Sequence, residues 1–256
     1  MAGHGLAPPV AKGANGRVPR TRHKPKTQRC TIATARVLTF VSLLTPLQAC
    51  SQPEGGLLEK SYREAARTPL PAGAIAVGTG FFIAPDKVMT SAHVIAGCDT
   101  IIVENGRLEP ASARVAAQDR RRDAAVLKVQ AVAPSVLSLG EDSGRGALRI
   151  LGYGVGETGR MPADTREAAR LKGSPPGALA VSARVSAGFS GAPILEAGGR
   201  VIGILSGRLN EGEGRDQADI IASPVAGLSA ALRGHADARG QKQGASEGAV
   251  VKVSCQ

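Results

Sequence analysis

Aromatic side chains are nearly missing from this chain: tryptophan is absent, and phenylalanine and tyrosine make up only 2% of its 256 residues. A folded core must therefore be filled by Val, Ile, Leu and Ala. Acidic residues are missing from positions 1–49, which hold eight Lys and Arg and no Asp or Glu. The net charge of +11 is concentrated there, because the rest of the chain sets 24 basic residues against 21 acidic ones. The body thus makes no electrostatic case for nucleic-acid binding. Also missing are a metal-ligand cluster, a phosphate-binding glycine loop and a dinucleotide fingerprint, so no metal and no cofactor is expected. No solenoid-type repeat is visible, and strands and helices do not alternate as a parallel sheet would require.

No apolar run is long enough to span a bilayer, which takes about 20 residues. The longest candidate, Val37 to Leu47, follows a basic stretch ending at Arg36 and precedes Leu47-Gln48-Ala49-Cys50. A basic stretch, an apolar stretch and a small-residue end, in that order, read as a secretory signal over residues 1–50. The last four residues are similar to the lipobox of bacterial lipoproteins, with Cys50 as the acylated residue. Cleavage after Ala49 without lipidation is the alternative. Either way the protein is expected to be exported, to a periplasm or, through a lipidated Cys50, to an outer membrane. Residues 51–72, polar and holding Pro53, Pro69 and Pro71, read as a linker with a short helix at Leu57–Ala66.

What the chain has in quantity is glycine, 33 residues of it, set between short apolar runs. Strands are expected at Ala74–Pro85, Lys87–Thr90, Thr100–Val103, Ala113–Ala117, Ala124–Val129, Leu148–Tyr153, Leu179–Val185, Pro193–Leu195, Val201–Ser206 and Asp219–Ala222. Short strands with turn residues between them argue an antiparallel all-β protein. One helix is expected in the body, Pro224–Arg233, with Ser223 as its N-cap, Pro224 at its first position and Gly234 ending it.

The chemistry-bearing residues fall in three places. Gly188-Phe189-Ser190-Gly191-Ala192-Pro193 is a small-residue turn between apolar runs, where glycines let successive N–H groups converge on one spot. His93 follows a strand-like run in Thr90-Ser91-Ala92-His93-Val94, and outside the leader the only other histidine is His235. Asp123 opens the apolar run Ala124–Val129, which draws its carboxylate inward, whereas Asp119 lacks such a flank. A serine hydroxyl needs a base that titrates near neutral pH, and that base needs an acid to hold its tautomer. The order His, Asp, Ser excludes an α/β-hydrolase arrangement, in which the serine comes first.

Together these motifs resemble the trypsin-like, chymotrypsin-fold serine peptidases, and most closely the bacterial Deg/HtrA branch, without the PDZ domain usual there. The resemblance covers about Ala74 to Leu232. It implies two six-stranded antiparallel β-barrels with a short C-terminal helix, in a peptidase domain at 73–235 with lobes at about 73–135 and 145–233 and a tail at 236–256. It further implies His93, Asp123 and Ser190 as a catalytic triad, with Gly188 and Ser190 N–H groups as the oxyanion hole. An acyl-enzyme intermediate and unfolded or extended polypeptide substrates follow from it. Substrate would pair with Gly203–Gly207, with Ser206 and Gly207 in contact and Ser206 bonded to Asp123. Arg184 occupies the position near the base of the specificity pocket, where it either selects acidic side chains or points outward. Two other functions use the same motifs: a binding protein with a misaligned triad, and an esterase. Cys98 and Cys255 are left after Cys50 is processed, and the sequence leaves a disulfide and two separate thiols equally open.

Overall fold

The structure is a computed structural model that describes residues 56–67, 75–159, 162–209, 218–236 and 246–256. The expected leader, Cys50 and all of the linker outside residues 56–67 lie outside the described residues. The helix expected in the linker is present as α1 (Leu57–Arg67), with Leu58 buried, and it packs on the turn that carries His93.

Twelve strands form two closed antiparallel barrels of six. The first contains β1 (Ala76–Ala84), β2 (Lys87–Thr90), β3 (Ile101–Asn105), β4 (Leu108–Asp119), β5 (Ala124–Val129) and, from the far end of the chain, β12 (Val250–Cys255). The second contains β6 (Leu148–Gly152), β7 (Asp164–Arg170), β8 (Leu179–Ala183), β9 (Pro193–Leu195), β10 (Val201–Arg208) and β11 (Ala218–Pro224). Each barrel has an aliphatic interior, as the shortage of aromatics requires. Val88, Val103, Leu127, Val251 and Val253 fill the first, and Leu148, Ile150, Val181, Ile194, Ile202 and Ile220 fill the second. A third buried layer holds Phe81, Ile83 and Met89 from one barrel with Leu151, Tyr153, Leu195 and Ile204 from the other. That shared layer locks the barrels together and sets the cleft between them.

Three elements depart from the sequence expectations. β12 lies where a tail was expected: it inserts between β1 and β3, pairing Val253 with Gly78 on one side and with Val103 on the other. Its alternation is regular, Val251, Val253 and Cys255 inward, and it closes the first barrel. It also brings Cys255 to Cys98, and the two form a disulfide with their Cα atoms 5.3 Å apart. β7, Asp-Thr-Arg-Glu-Ala-Ala-Arg, was not expected as a strand, since Ala, Glu and Arg favour helices. Pairing with β6 on one edge and β8 on the other overrides that preference, and ion pairs Arg166–Asp164 and Arg170–Asp142 satisfy its charges. Lastly, the expected helix over Pro224–Arg233 with a Ser223 cap is corrected. Ser223 and Pro224 belong to β11, a 3₁₀ turn occupies Val225–Gly227, and only α2 (Ala230–Arg233) is α-helical. Ser229 is its N-cap, its hydroxyl accepting the Leu232 N–H, because extended backbone at Leu228 interrupts any longer helix.

Candidate active site

His93 stands in a 3₁₀ turn, Ala92–Ile95, immediately after β2, so the strand end delivers its imidazole to the cleft. Asp123 precedes β5, the neighbour of β2 in the barrel, and has no exposed surface. The two meet through two bonds: the His93 backbone N–H donates to Asp123 Oδ1 at 2.8 Å, and Nδ1 lies 2.7 Å from Oδ2. Ser206, near the end of β10 in the other barrel, donates its hydroxyl to the same Oδ2. Three donors therefore converge on one buried carboxylate. Held in this way, Asp123 fixes the orientation of the ring and is placed to accept an Nδ1–H from it.

The backbone at Asp123 is unusual. Its φ of 49° is the only left-handed one among the described non-glycine residues. Asp tolerates that region better than most side chains, and backbone strain of this kind clusters at functional sites. The turn into it is shaped by Asp119, whose carboxylate accepts the Arg122 N–H at 3.1 Å, and by Arg122, whose guanidinium reaches across to the Gly177 carbonyl at 2.7 Å. Asp119 thus supports the turn into Asp123, and no bond joins it to His93.

Ser190 is held from several sides. Phe189 is almost fully buried in the second barrel, its ring so close to the Gly152 Cα that a Cβ there would come within 2.6 Å of it. Thr79 of β1 reaches across the cleft: its N–H donates to the Ser190 carbonyl at 2.7 Å, and its hydroxyl donates to the Gly188 carbonyl at 2.9 Å while accepting the Tyr153 N–H at 3.0 Å. Gly191 donates to the Leu205 carbonyl, which also accepts the hydroxyl of Ser91, two residues before His93. A Cβ on Gly191 would lie 2.1 Å from the Thr79 carbonyl oxygen, and the residue's φ is +88°, so only glycine fits. Thr79 and Ser91 are the functional residues that motif reading passed over. Thr79 lies within a recognisable strand and Ser91 directly after one, and nothing in a strand pattern says that such hydroxyls bridge to another lobe.

The N–H groups of Gly188 and Ser190 are directed by their own peptide planes. The Ala187 carbonyl accepts the Val155 N–H at 2.9 Å and the Phe189 carbonyl accepts the Ala192 N–H at 2.9 Å. In a trans peptide the N–H points opposite to the C=O, so the Gly188 and Ser190 N–H groups face away from these bonds. Among the described residues neither is taken by a protein acceptor. Gly188 has φ of +99°, and a Cβ there would lie 2.5 Å from the Tyr153 carbonyl oxygen, so this turn also requires glycine. Of the remaining expected residues, Arg184 is exposed just after β8 and Gly207 is half-buried beside Ser206 in β10. Among the described residues there is no group of side chains suited to hold a metal ion.

Two closed antiparallel six-stranded barrels, with His93 and Asp123 on one and the Ser190 turn on the other, define the chymotrypsin class of fold. Comparison with known families agrees: residues 78–204 match the trypsin-like peptidase domain, and the chain belongs to that family through this segment. Serine protease Rv3671c of Mycobacterium tuberculosis is 37% identical over 142 residues, which is 51% of this chain and 36% of that protein. A probable periplasmic serine endoprotease, DegP-like, of Hahella chejuensis is 38% identical over 74 residues, or 28% of this chain and 16% of the relative. The match therefore spans about a third of the length of the first relative and less of the second. Among solved structures, the active form of the M. tuberculosis Rv3671c protease shares the fold with a TM-score of 0.53 at 24% identity, covering 83% of this chain and 100% of that one.

Proposed function

We propose that this protein is an exported serine endopeptidase in which His93, Asp123 and Ser190 act as the triad. The observation that carries the reading is the buried Asp123 carboxylate, bonded to His93 from one barrel and to Ser206 from the other, together with a serine turn whose Gly188 and Ser190 N–H groups have no protein acceptor among the described residues. In the reaction, Ser190 Oγ attacks the substrate carbonyl carbon as its proton passes to His93 Nε2, and the Gly188 and Ser190 N–H groups receive the oxyanion. His93 then gives that proton to the leaving amine, and the C–N bond breaks to leave an acyl-Ser190 ester. Water, deprotonated by His93, attacks the ester, and His93 passes that proton to Ser190 Oγ as the C–O bond breaks and the acid is released. The substrate is an unfolded or extended polypeptide, lying along the Ser206–Gly207 end of β10.

Export rests on the leader of residues 1–50, and the name of the DegP-like relative agrees with a periplasmic setting. Cleavage before Cys50 with acylation of its thiol would add a membrane anchor. The intact mass of the native protein reads this directly, since an unmodified N-terminus at Cys50 or Ser51 removes the anchor and keeps the export.

The test of the catalytic reading is fluorophosphonate labelling of Ser190 together with cleavage of casein. Ser190→Ala and His93→Ala are each expected to lower turnover by about 10⁶, and Asp123→Ala by about 10⁴. Asp119→Ala, which alters a turn and not the imidazole's partner, is expected to act within about tenfold of wild type. A folded wild-type protein that neither labels nor cleaves would end this reading.

A further inference from the structure

Two segments meet beside the Ser190 turn, where the Gly191 N–H donates to the Leu205 carbonyl, and they are the walls of the gap that a substrate side chain would enter. One is the segment after β8, Arg184 to Ser190. The other is the end of β10, which leaves the triad at Ser206, passes through Gly207 and ends at Arg208. Small residues line both: Ser186, Ala187 and Gly188 on one side, Ser206 and Gly207 on the other. A register irregularity between Leu205 and Gly207 turns the end of β10 relative to its neighbour β11. One long side chain spans the gap. Arg208 Nη2 donates to the Val185 carbonyl at 2.9 Å, which lays the guanidinium from the β10 wall to the β8 wall.

That guanidinium is exposed, and no carboxylate among the described residues lies within ion-pair distance of it or of the exposed Arg184. Arg208 has five N–H donors, one of them committed to Val185. A substrate side chain that enters between the walls meets the remaining donors. A carboxylate engages them through paired charge-assisted bonds of the kind a guanidinium fork is shaped for. An alkyl side chain would cover a charged group without giving it a partner, and an ammonium would be repelled. Gly207 adds no side chain to obstruct entry, and Arg184 on the adjoining rim adds a second positive charge.

We propose that Arg208 makes this site select substrates with Glu or Asp immediately before the bond to be cut. The proposal rests on the peptidase reading and adds the substrate class, which neither the family nor the triad specifies. It also revises the role foreseen for Arg184: the cation that spans the gap comes from β10, and Arg184 contributes charge at the rim.

The experiment compares tetrapeptide anilides that differ only at the residue before the anilide, Glu, Asp, Gln, Leu or Lys. Rates are divided by the fraction of Ser190 that labels with fluorophosphonate, so that they refer to competent sites. The expected result for wild type is a kcat/KM for Glu about 100-fold above Gln and higher still above Lys. Arg208→Ala should bring Glu and Gln within about tenfold, and Arg208→Glu should make Lys the better substrate than Glu. Labelled wild type that cuts Leu or Lys as fast as Glu overturns the proposal and leaves the peptidase reading standing. A Glu preference that survives both substitutions also overturns it. Wild type that does not label at all overturns the peptidase reading and this one with it.

Discussion

The two barrels are closed by different means. All six strands of the second lie between Leu148 and Pro224, so its closure uses only neighbouring stretches of chain. The first has five strands before Val129 and takes its sixth, β12, from Val250–Cys255, after the whole of the second barrel. The barrel that carries His93 and Asp123 is therefore the last to be completed in chain order. Bringing such distant segments together costs more loop-closure entropy and slows folding. The Cys98–Cys255 disulfide, joining residues 157 apart in sequence, offsets that cost in the one barrel that incurs it. The second barrel has no described crosslink and supports its serine turn through local packing of Phe189.

The largest effect is expected from breaking the closure itself. Val253 has no exposed surface and pairs with both β1 and β3, so Val253→Asp buries an unpaired charge in the seam. A loss of more than about 4 kcal/mol is expected, enough to unfold a domain of ordinary stability. Ser190 labelling and the urea transition should both disappear, although Ser190 lies in the other barrel. If the variant still labels and unfolds at the wild-type urea midpoint, β12 is dispensable and the asymmetry has no functional weight.

A smaller effect is expected from the crosslink. Cys255→Ser keeps the strand and its ladder bonds and removes only the covalent tie, so the loss should be about 2–5 kcal/mol. The folded variant should label Ser190, and its urea midpoint should match that of reduced wild type. An unchanged midpoint would mean that the ladder bonds alone hold β12.

The asymmetry also explains what the sequence disclosed. The second barrel's Pro193–Leu195 and the first barrel's Ala124–Val129 read as strands because each is a compact apolar run, and the fold class follows from many such runs between turns. The Val250–Cys255 alternation is just as regular, but it stands behind a polar, glycine-rich stretch, and only the distant partners β1 and β3 make it a barrel strand. β7 failed differently, since helix-favouring residues there are held extended by two neighbours. In the candidate site, the meeting of His93 with Asp123 was legible from their strand flanks, and the turn at Ser190 from its glycines. The Thr79 bonds were not, because they reach to the other barrel, and the Arg208 bond to Val185 was not, because it joins segments that no local pattern relates.

The smallest effect is expected at the seam between the barrels. Tyr153 follows β6, is fully buried, and joins the layer shared by both barrels. Its backbone N–H is bonded to Thr79, but its hydroxyl has no partner among the described residues. Burial, and then the negative charges of Glu104 and Glu157, push its pKa up to about 12. Glu104 belongs to β3 and lies 3.8 Å from Lys252 of β12, so the hydroxyl senses the closing strand's own surroundings. A raised phenol pKa means that the folded protein holds its proton where the unfolded chain has lost it. The contribution is fully present below pH 10 and is lost as pH rises toward about 12, a decline of roughly 2–3 kcal/mol at most. Tyr153→Phe removes both the titration and the unpaired hydroxyl. At pH 8 it should be more stable than wild type by about 1 kcal/mol, since an unbonded buried hydroxyl costs about that much. Between pH 10 and 12 its urea midpoint should fall less steeply than that of wild type. A variant that is less stable at pH 8 and equally steep above pH 10 would show that the hydroxyl has a bonding partner at the seam.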